Sequence, residues 1–244
     1  MTEQTASLLS ADEIRAISHD EPAWLQERRR EALAEFQAAA PPDRAAHLWR
    51  YSDPGDFEPA GGVEAAPARP ELSEEARRAG VSLLPLGAAA AHAEHGPRVQ
   101  EHLGRLIGPD FGRLEAFNAA AWETGLYLHV PRKVRLEEPV ALPLGGGRVR
   151  RILAVVDEGA DVTLLEEHTG GGEDVVHGVS EIFAGQAARV ELVVFQHLDP
   201  EAHAHLSQRI HLERDARALS ALVSFGGHKT KIDTGTLLLS LIHI

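Results

Sequence analysis

A 28-residue period repeats nearly three times in the second half of this chain, and it constrains the fold more than any other feature. Read from Arg151, Val179 and Ser207, the rows are RILAVVDEGADVTLLEEHTGGGEDVVHG, VSEIFAGQAARVELVVFQHLDPEAHAHL and SQRIHLERDARALSALVSFGGHKTKIDT. Ala160, Ala188 and Ala216 fall in one column, and Ala154, Ile182 and Ile210 in another. Val162, Val190 and Ala218 form a third column, and Leu165, Val193 and Ala221 a fourth. The largely polar column of Leu153, Glu181 and Arg209 is expected to face water. A fixed period means one unit stacked on itself, like above like. Each row holds two strand-like runs separated by turns such as DEGAD, GQAAR and ERDAR, which suits a coil of a parallel β-helix. Leucine-rich repeats share the period, but their spine is missing; propeller blades are longer. Ordinary sandwich strands remain the third possibility. The predicted class is mainly β: a right-handed parallel β-helix, incomplete, preceded by an N-terminal helical region.

The other segments frame this core. Residues 1–51 read as a helical region, 52–125 as a linker followed by a strand and two amphipathic helices, and 126–244 as the β-helix. Ser10 and Glu13 make a capping box ahead of Ile14 and Ile17. A second helix starts near Glu21-Pro22, with the proline at the first helical position. Leu25, Ala32, Leu33 and Phe36 form its apolar face, and arginines and glutamates cover the other. Pro41-Pro42 ends it, and His47 to Tyr51 follows as an aromatic cluster. Ser52 to Pro70, rich in Pro, Gly, Ala and Glu, reads as a linker. Val81–Leu86 is a predicted strand. His95–Ile107 and Phe111–Glu123 are predicted helices, the latter with Phe111, Leu114, Phe117, Ala121 and Trp122 inward and Gly125 as its C-cap. Leu126–Val130 is a strand, and Pro131-Arg132-Lys133 turns out of it.

Composition excludes several functions. A net charge of −13 offers nucleic acid or an anionic membrane no counterion release. No cysteine is present, so these residues supply no disulfide, thiolate nucleophile or thiolate ligand. The N-terminus lacks a basic and apolar leader, and no apolar run approaches a membrane span, so a cytoplasmic location is expected.

Few residues point to chemistry. His203-Ala204-His205 puts two imidazoles on one strand face, near His197, with Glu213 or His211 as the nearest further ligand. That pair supports a cupin-like metal-dependent enzyme as an alternative, although a cupin places its carboxylate sooner. In the 28-residue register His177, His205 and Asp233 share a column, which reads as a solvated ladder on the outer wall. On that reading, replacing His203 and His205 together barely changes stability. Gly145–Gly147 and Gly170–Gly172 do not open helices and read as turns, not phosphate loops. Neighbouring acids such as Glu166 and Glu167 diverge to opposite faces on a strand, which makes them poor general acid/base partners. No catalytic, cofactor or metal residue is assigned, and the chain is expected not to be an enzyme.

Three stretches carry a resemblance. They are Glu21–Gln37 with Leu48-Trp49-Arg50-Tyr51-Ser52-Asp53 following, Phe117–Val140 (FNAAAWETGLYLHVPRKVRLEEPV), and Arg151–His168. Together they resemble the SufB/SufD family of the SUF iron–sulfur cluster assembly system, and within it the cysteine-poor SufD branch. The resemblance implies a non-catalytic scaffold subunit that binds a SufB-type homologue through the β-helix and a SufC-type ATPase through a C-terminal helical segment. The iron–sulfur cluster is then assembled on the complex, with no cofactor held by this chain. The family continues past Leu237–Ile244, so the sequence reads as truncated there, and no family site residue is carried over. Leu238 is expected to continue the Ala154, Ile182, Ile210 column, and the apolar run at Leu237–Ile242 to favour self-association. A generic β-solenoid interaction module is the remaining alternative.

Overall fold

The period closes into turns of a β-solenoid. The computed structural model describes residues 9–43, 49–59, 62–66 and 68–238. Each turn consists of one strand in a first sheet and one in a second. In chain order the strands are β1 (Ser82–Pro85), β2 (Thr124–Val130), β3 (Val140–Leu144), β4 (Val149–Val156), β5 (Asp161–Gly170), β6 (Val175–Ala184), β7 (Arg189–Leu198), β8 (His203–Leu212), β9 (Arg217–Gly226) and β10 (Lys229–Leu238). The first sheet runs β1-β2-β4-β6-β8-β10 and the second β3-β5-β7-β9. All pairings are parallel except β1 with β2. The result is a solenoid of about four turns.

Parallel register stacks the repeat columns directly. Ala154 pairs with Ile182 and Ile182 with Ile210, and all three are buried between the sheets. Leu164 and Leu192 point inward from the second sheet. Leu165 and Val193 are the outward neighbours of that pair, half-exposed on its open face. The corners repeat too. Gly159, Ala187 and Asp215 all adopt left-handed backbone (φ 67°, 57° and 61°). The Gly159 amide donates to the Gln186 carbonyl and the Ala187 amide to the Arg214 carbonyl, so each corner is hydrogen-bonded to the next.

The register changes at the last described turn. Residues 171–174 and 199–202 are four-residue connections, whereas only Gly227 and His228 separate β9 from β10. Two residues fewer shift the offset from 28 to 26 without exchanging the faces, because strand side chains alternate with period two. Leu238 therefore pairs with Leu212, and Thr236 follows Ile210. Likewise Lys231, not Asp233, follows His205. The expected placements of Leu238 and Asp233 are corrected accordingly. The residues after Leu238 lie outside the described ones.

Helices cover the outer face of the first sheet. They are α1 (Ala11–Ser18), α2 (Ala23–Ala38), α4 (Leu86–Ala91), α5 (Gly96–His102) and α6 (Arg113–Ala121), whereas α3 (Glu74–Arg78) packs Ala76 against the core between the sheets. The Ser10–Glu13 capping box forms as expected. Leu25, Ala32, Leu33 and Phe36 of α2 join Phe117 and Ala121 of α6, and Leu153, Val155 and Phe183 of the sheet, in a second core. Pro22 is the N-cap of α2 rather than its first helical residue. The helix predicted over 95–107 stops at His102, while α3 and α4 were not anticipated. Gly125 caps nothing: it lies in β2, where an added Cβ would meet the Leu86 Cβ at 2.8 Å and the Trp122 ring at 3.0 Å. Phe111 is exposed ahead of α6. Within the presumed linker, a 3-10 turn at Pro54–Phe57 is capped by Asp53 and buries Phe57. Of the predicted aromatic cluster, His47 and Leu48 lie outside the described residues.

Candidate functional site

The covered face of the first sheet carries the histidine column. His177 and His205 pair across β6 and β8, and both are buried. Trp49 stacks on His205 (centroids 5.7 Å apart, 15° between planes), Phe57 leans on it at 6.3 Å, and Phe117 meets His177 edge-on at 5.1 Å. The solvated ladder is therefore corrected. The column points away from the solenoid interior, but α6 and the 49–57 segment roof it. His205, only 4% exposed, is no surface residue to be exchanged freely.

Burial sets the protonation state of this column. It pushes His177 well below the ordinary histidine value, with His205 and Arg148 adding to the effect. His205 is pushed down to about 4, chiefly by burial; the Glu115 carboxylate opposes this and Lys231 reinforces it. Neither nitrogen of His177 has a hydrogen-bond partner among the described residues. Glu115 accepts a 2.6 Å bond from Ser207 Oγ and lies 3.8 Å from His205 Nε2. Beside it a cavity of about 500 Å³ is lined by Trp49, Phe111, Arg113, Glu115, His205 and Lys231.

His203 takes part differently. It stacks on His228 (5.3 Å, 12°), and its Nδ1 lies 2.7 Å from the Asp56 carbonyl. Lys229 donates to Asp56 at 2.7 Å, closing a clasp between β10 and the 49–57 segment. The further candidate ligands are not brought in. His211 sits eight residues along β8, about 26 Å at ~3.3 Å per strand residue. Glu213 lies in the next corner and accepts from the Gln186 amide. His197 is exposed on the outward face of β7.

A second polar group lies inside the solenoid, where periodicity suggests only apolar filling. Glu166 and His168 point inward from β5 and meet at 2.6 Å. Glu166 also accepts from Ser180 Oγ at 2.7 Å and from Gln208 Nε2 at 3.4 Å. Arg150, fully buried, donates to the carbonyls of Gly147 (2.7 Å) and Thr169 (2.6 Å), leaving Nη1 unpartnered. Burial pulls its guanidinium down to about 10. Gln196 accepts from Ser224, with its Nε2 left free. The sequence signal was parity: positions 166 and 168 share a strand face with the inward Val162 and Leu164. Glu167 faces outward, as expected. Gly145–Gly147 lie in the turn after β3, and Gly170 ends β5 with Gly171 and Gly172 opening the turn that follows.

The polar column of Leu153, Glu181 and Arg209 is corrected as well. Glu181 is fully buried, accepts from the amides of Gly104 (2.8 Å), Leu106 (2.8 Å) and Ile107 (3.2 Å), and pairs with Arg151. Arg29, on the charged face predicted for α2, is also buried. It donates to both Glu21 oxygens (2.7 and 2.8 Å) and lies 3.7 Å over the Trp122 ring.

Comparison with known proteins places these features. Residues 143–239 match the family described as SUF system FeS cluster assembly, SufBD core domain, which coincides with the stacked turns. The chain is 25% identical over 231 residues to the iron–sulfur cluster assembly protein SufD of Bacillus subtilis, covering 78% of this chain and 52% of that protein. It is 32% identical over 72 residues to SufB of the same organism, covering 28% and 16%. A SufBD family protein of Pyrococcus horikoshii is 22% identical over 142 residues, covering 55% and 32%. The chain thus spans about half or less of the length of these relatives.

Proposed function

We propose that this chain, a member of the SufB/SufD family through its core domain, is a non-catalytic scaffold subunit in iron–sulfur cluster assembly, of the SufD kind. The observation that carries this reading is the coincidence of the matched residues 143–239 with the solenoid turns. The absence of cysteine among the 244 residues supports the SufD side, because a chain without thiolates leaves cluster ligation to its partner. The partners proposed are a SufB-type homologue and a SufC-type ATPase, and the proposed compartment is the cytoplasm. No described helix is long and apolar enough to cross a membrane.

The two faces of the solenoid support a docking role. The first sheet is covered by the chain's own helices. The outer face of the second is left open, with half-exposed Val193 and Phe195 beside exposed Leu219 and Phe225 (55% exposed), interspersed with Glu167, Arg189 and Glu191. Apolar anchors within a charged rim are the usual anatomy of a protein-binding surface. The experiment is affinity capture of the protein from its native cell extract. Recovery of an ABC-type ATPase together with a cysteine-bearing homologue is expected. Recovery of neither overturns the reading, and turnover of a small substrate by the purified chain favours an enzyme instead.

A further inference from the structure

We propose that the turn between α4 and α5 is a binding site for a divalent transition-metal ion, with His92, Glu94 and His95 as ligands. One ligand atom from each residue lies within 4.8 Å of the others. All three come from four consecutive positions, so their convergence depends on one short turn. That turn is fixed by its backbone: the His92 amide donates to the Ala89 carbonyl at 3.1 Å, Gly96 to His92 at 2.8 Å and Val99 to His95 at 2.9 Å. A Cβ on Gly96 would meet the Ala90 carbonyl oxygen at 2.8 Å, so the chain must pass this close to make the turn. The two imidazoles already stand side by side, stacked at 4.8 Å with 27° between planes.

Two further observations point to a ligand. His95 is buried, yet among the described residues its Nδ1 has no hydrogen-bond partner, and a buried polar atom left unsatisfied calls for an explanation. His92 and Glu94 are exposed and border an open groove of about 670 Å³ alongside Pro70, Leu72 and Ser82, so an ion has a path in. The nearby cation Arg98 is engaged elsewhere, 2.9 Å from His129 Nε2 and 3.8 Å from Asp157.

Two imidazoles and one carboxylate suit zinc and its first-row neighbours rather than calcium or magnesium, which prefer all-oxygen shells. Ligand bonds of about 2.0–2.1 Å in a tetrahedral shell require donor spacings of about 3.4 Å. The exposed His92 and Glu94 must therefore swing inward. This costs the 3.2 Å contact from the Glu94 amide to His92 Nδ1. Three protein ligands leave a fourth position for water.

The test titrates the full chain with Zn²⁺ against a chromophoric chelator, and with Co²⁺ as a spectroscopic probe. One tight equivalent and visible d–d bands of a four- or five-coordinate Co²⁺ are expected. His92→Ala and Glu94→Gln, both at exposed positions, should each weaken binding at least tenfold with an unchanged circular dichroism spectrum. His203→Gln serves as the control and should leave binding intact. Failure of the chain to compete with the chelator, or tight binding that survives both substitutions at the turn, overturns the proposal.

Discussion

Arg151 and Glu181 form a 2.7 Å ion pair with side chains 2% and 0% exposed, between neighbouring turns on the face of the solenoid that meets the helices. Glu181 also holds the amides of Gly104, Leu106 and Ile107, so one carboxylate ties the segment after α5 to β6. Removing one member of a buried pair leaves the other charge uncompensated, which typically costs about 3–5 kcal/mol. Glu181→Ala is expected to destabilise by that amount in urea unfolding. Glu181→Gln keeps acceptor capacity for the amides and should lose less. Equal, sub-kilocalorie effects of the two would show that the pair does not organise this junction.

Which parts of this arrangement a sequence can display follows from the geometry of strands. Period two separates two faces, and the 28-residue spacing stacks them, so Ala154, Ile182 and Ile210 were readable as one column. Periodicity does not say which outer face is roofed. Glu181, His177 and His205 look solvent-facing because their covers, α6, the 103–107 segment and Trp49 with Phe57, come from about 60 to 160 residues earlier. The two-residue shortening before β10 was hidden for a related reason: it leaves parity intact, so the rows still alternate while their columns slip. His92, Glu94 and His95 are ligand types within four positions, but strand periodicity carries no information about the helix–helix turn that brings them together.

Arg29 offers a comparison of two cations at one position. Its planar guanidinium bonds both Glu21 oxygens, donates to the carbonyls of Ala120 and Trp122, and covers the Trp122 ring. A lysine ammonium cannot reproduce the forked pair and the stacking together. Arg29→Lys is expected to lose about 2 kcal/mol, within the range for charge-assisted hydrogen bonds. Arg29→Ala should lose about 3–5 kcal/mol, because Glu21 is then left buried alone. Denaturation of the two variants in parallel checks the order; a lysine variant as stable as the parent would contradict it.

The solenoid corners allow a stabilising prediction. Ala187 occupies the left-handed position that Gly159 fills one turn earlier, at φ 57° against 67°. A residue with a Cβ is disfavoured there by roughly 1–2 kcal/mol, offset in part by glycine's greater freedom in the unfolded chain. Ala187→Gly should therefore stabilise by about 0.5–1 kcal/mol, read as a higher urea midpoint at unchanged slope. A lower midpoint would mean that the corner relaxes around alanine at no cost.

The buried histidines predict how stability depends on pH. Burial lowers His205 to about 4 and His177 well below the ordinary 6.5, so in the folded protein both stay neutral where an unfolded chain would protonate them. Below 6.5 the unfolded state binds more protons than the folded one. The contribution is therefore fully present above pH 6.5 and is lost as pH falls below it, toward about 4 in the case of His205. Each group can contribute up to about 1.4 kcal/mol per pH unit within that window. His177 makes the cleaner test, because among the described residues neither of its nitrogens has a hydrogen-bond partner, so replacing it strands no side-chain hydrogen bond. His177→Leu is expected to stay within about 1 kcal/mol of the parent at pH 7, and to lose less stability than the parent between pH 6.5 and 4.5. Urea unfolding at several pH values measures both slopes. Parallel curves for parent and variant would show that His177 does not titrate with unfolding, and the roof over this column would then have to admit water.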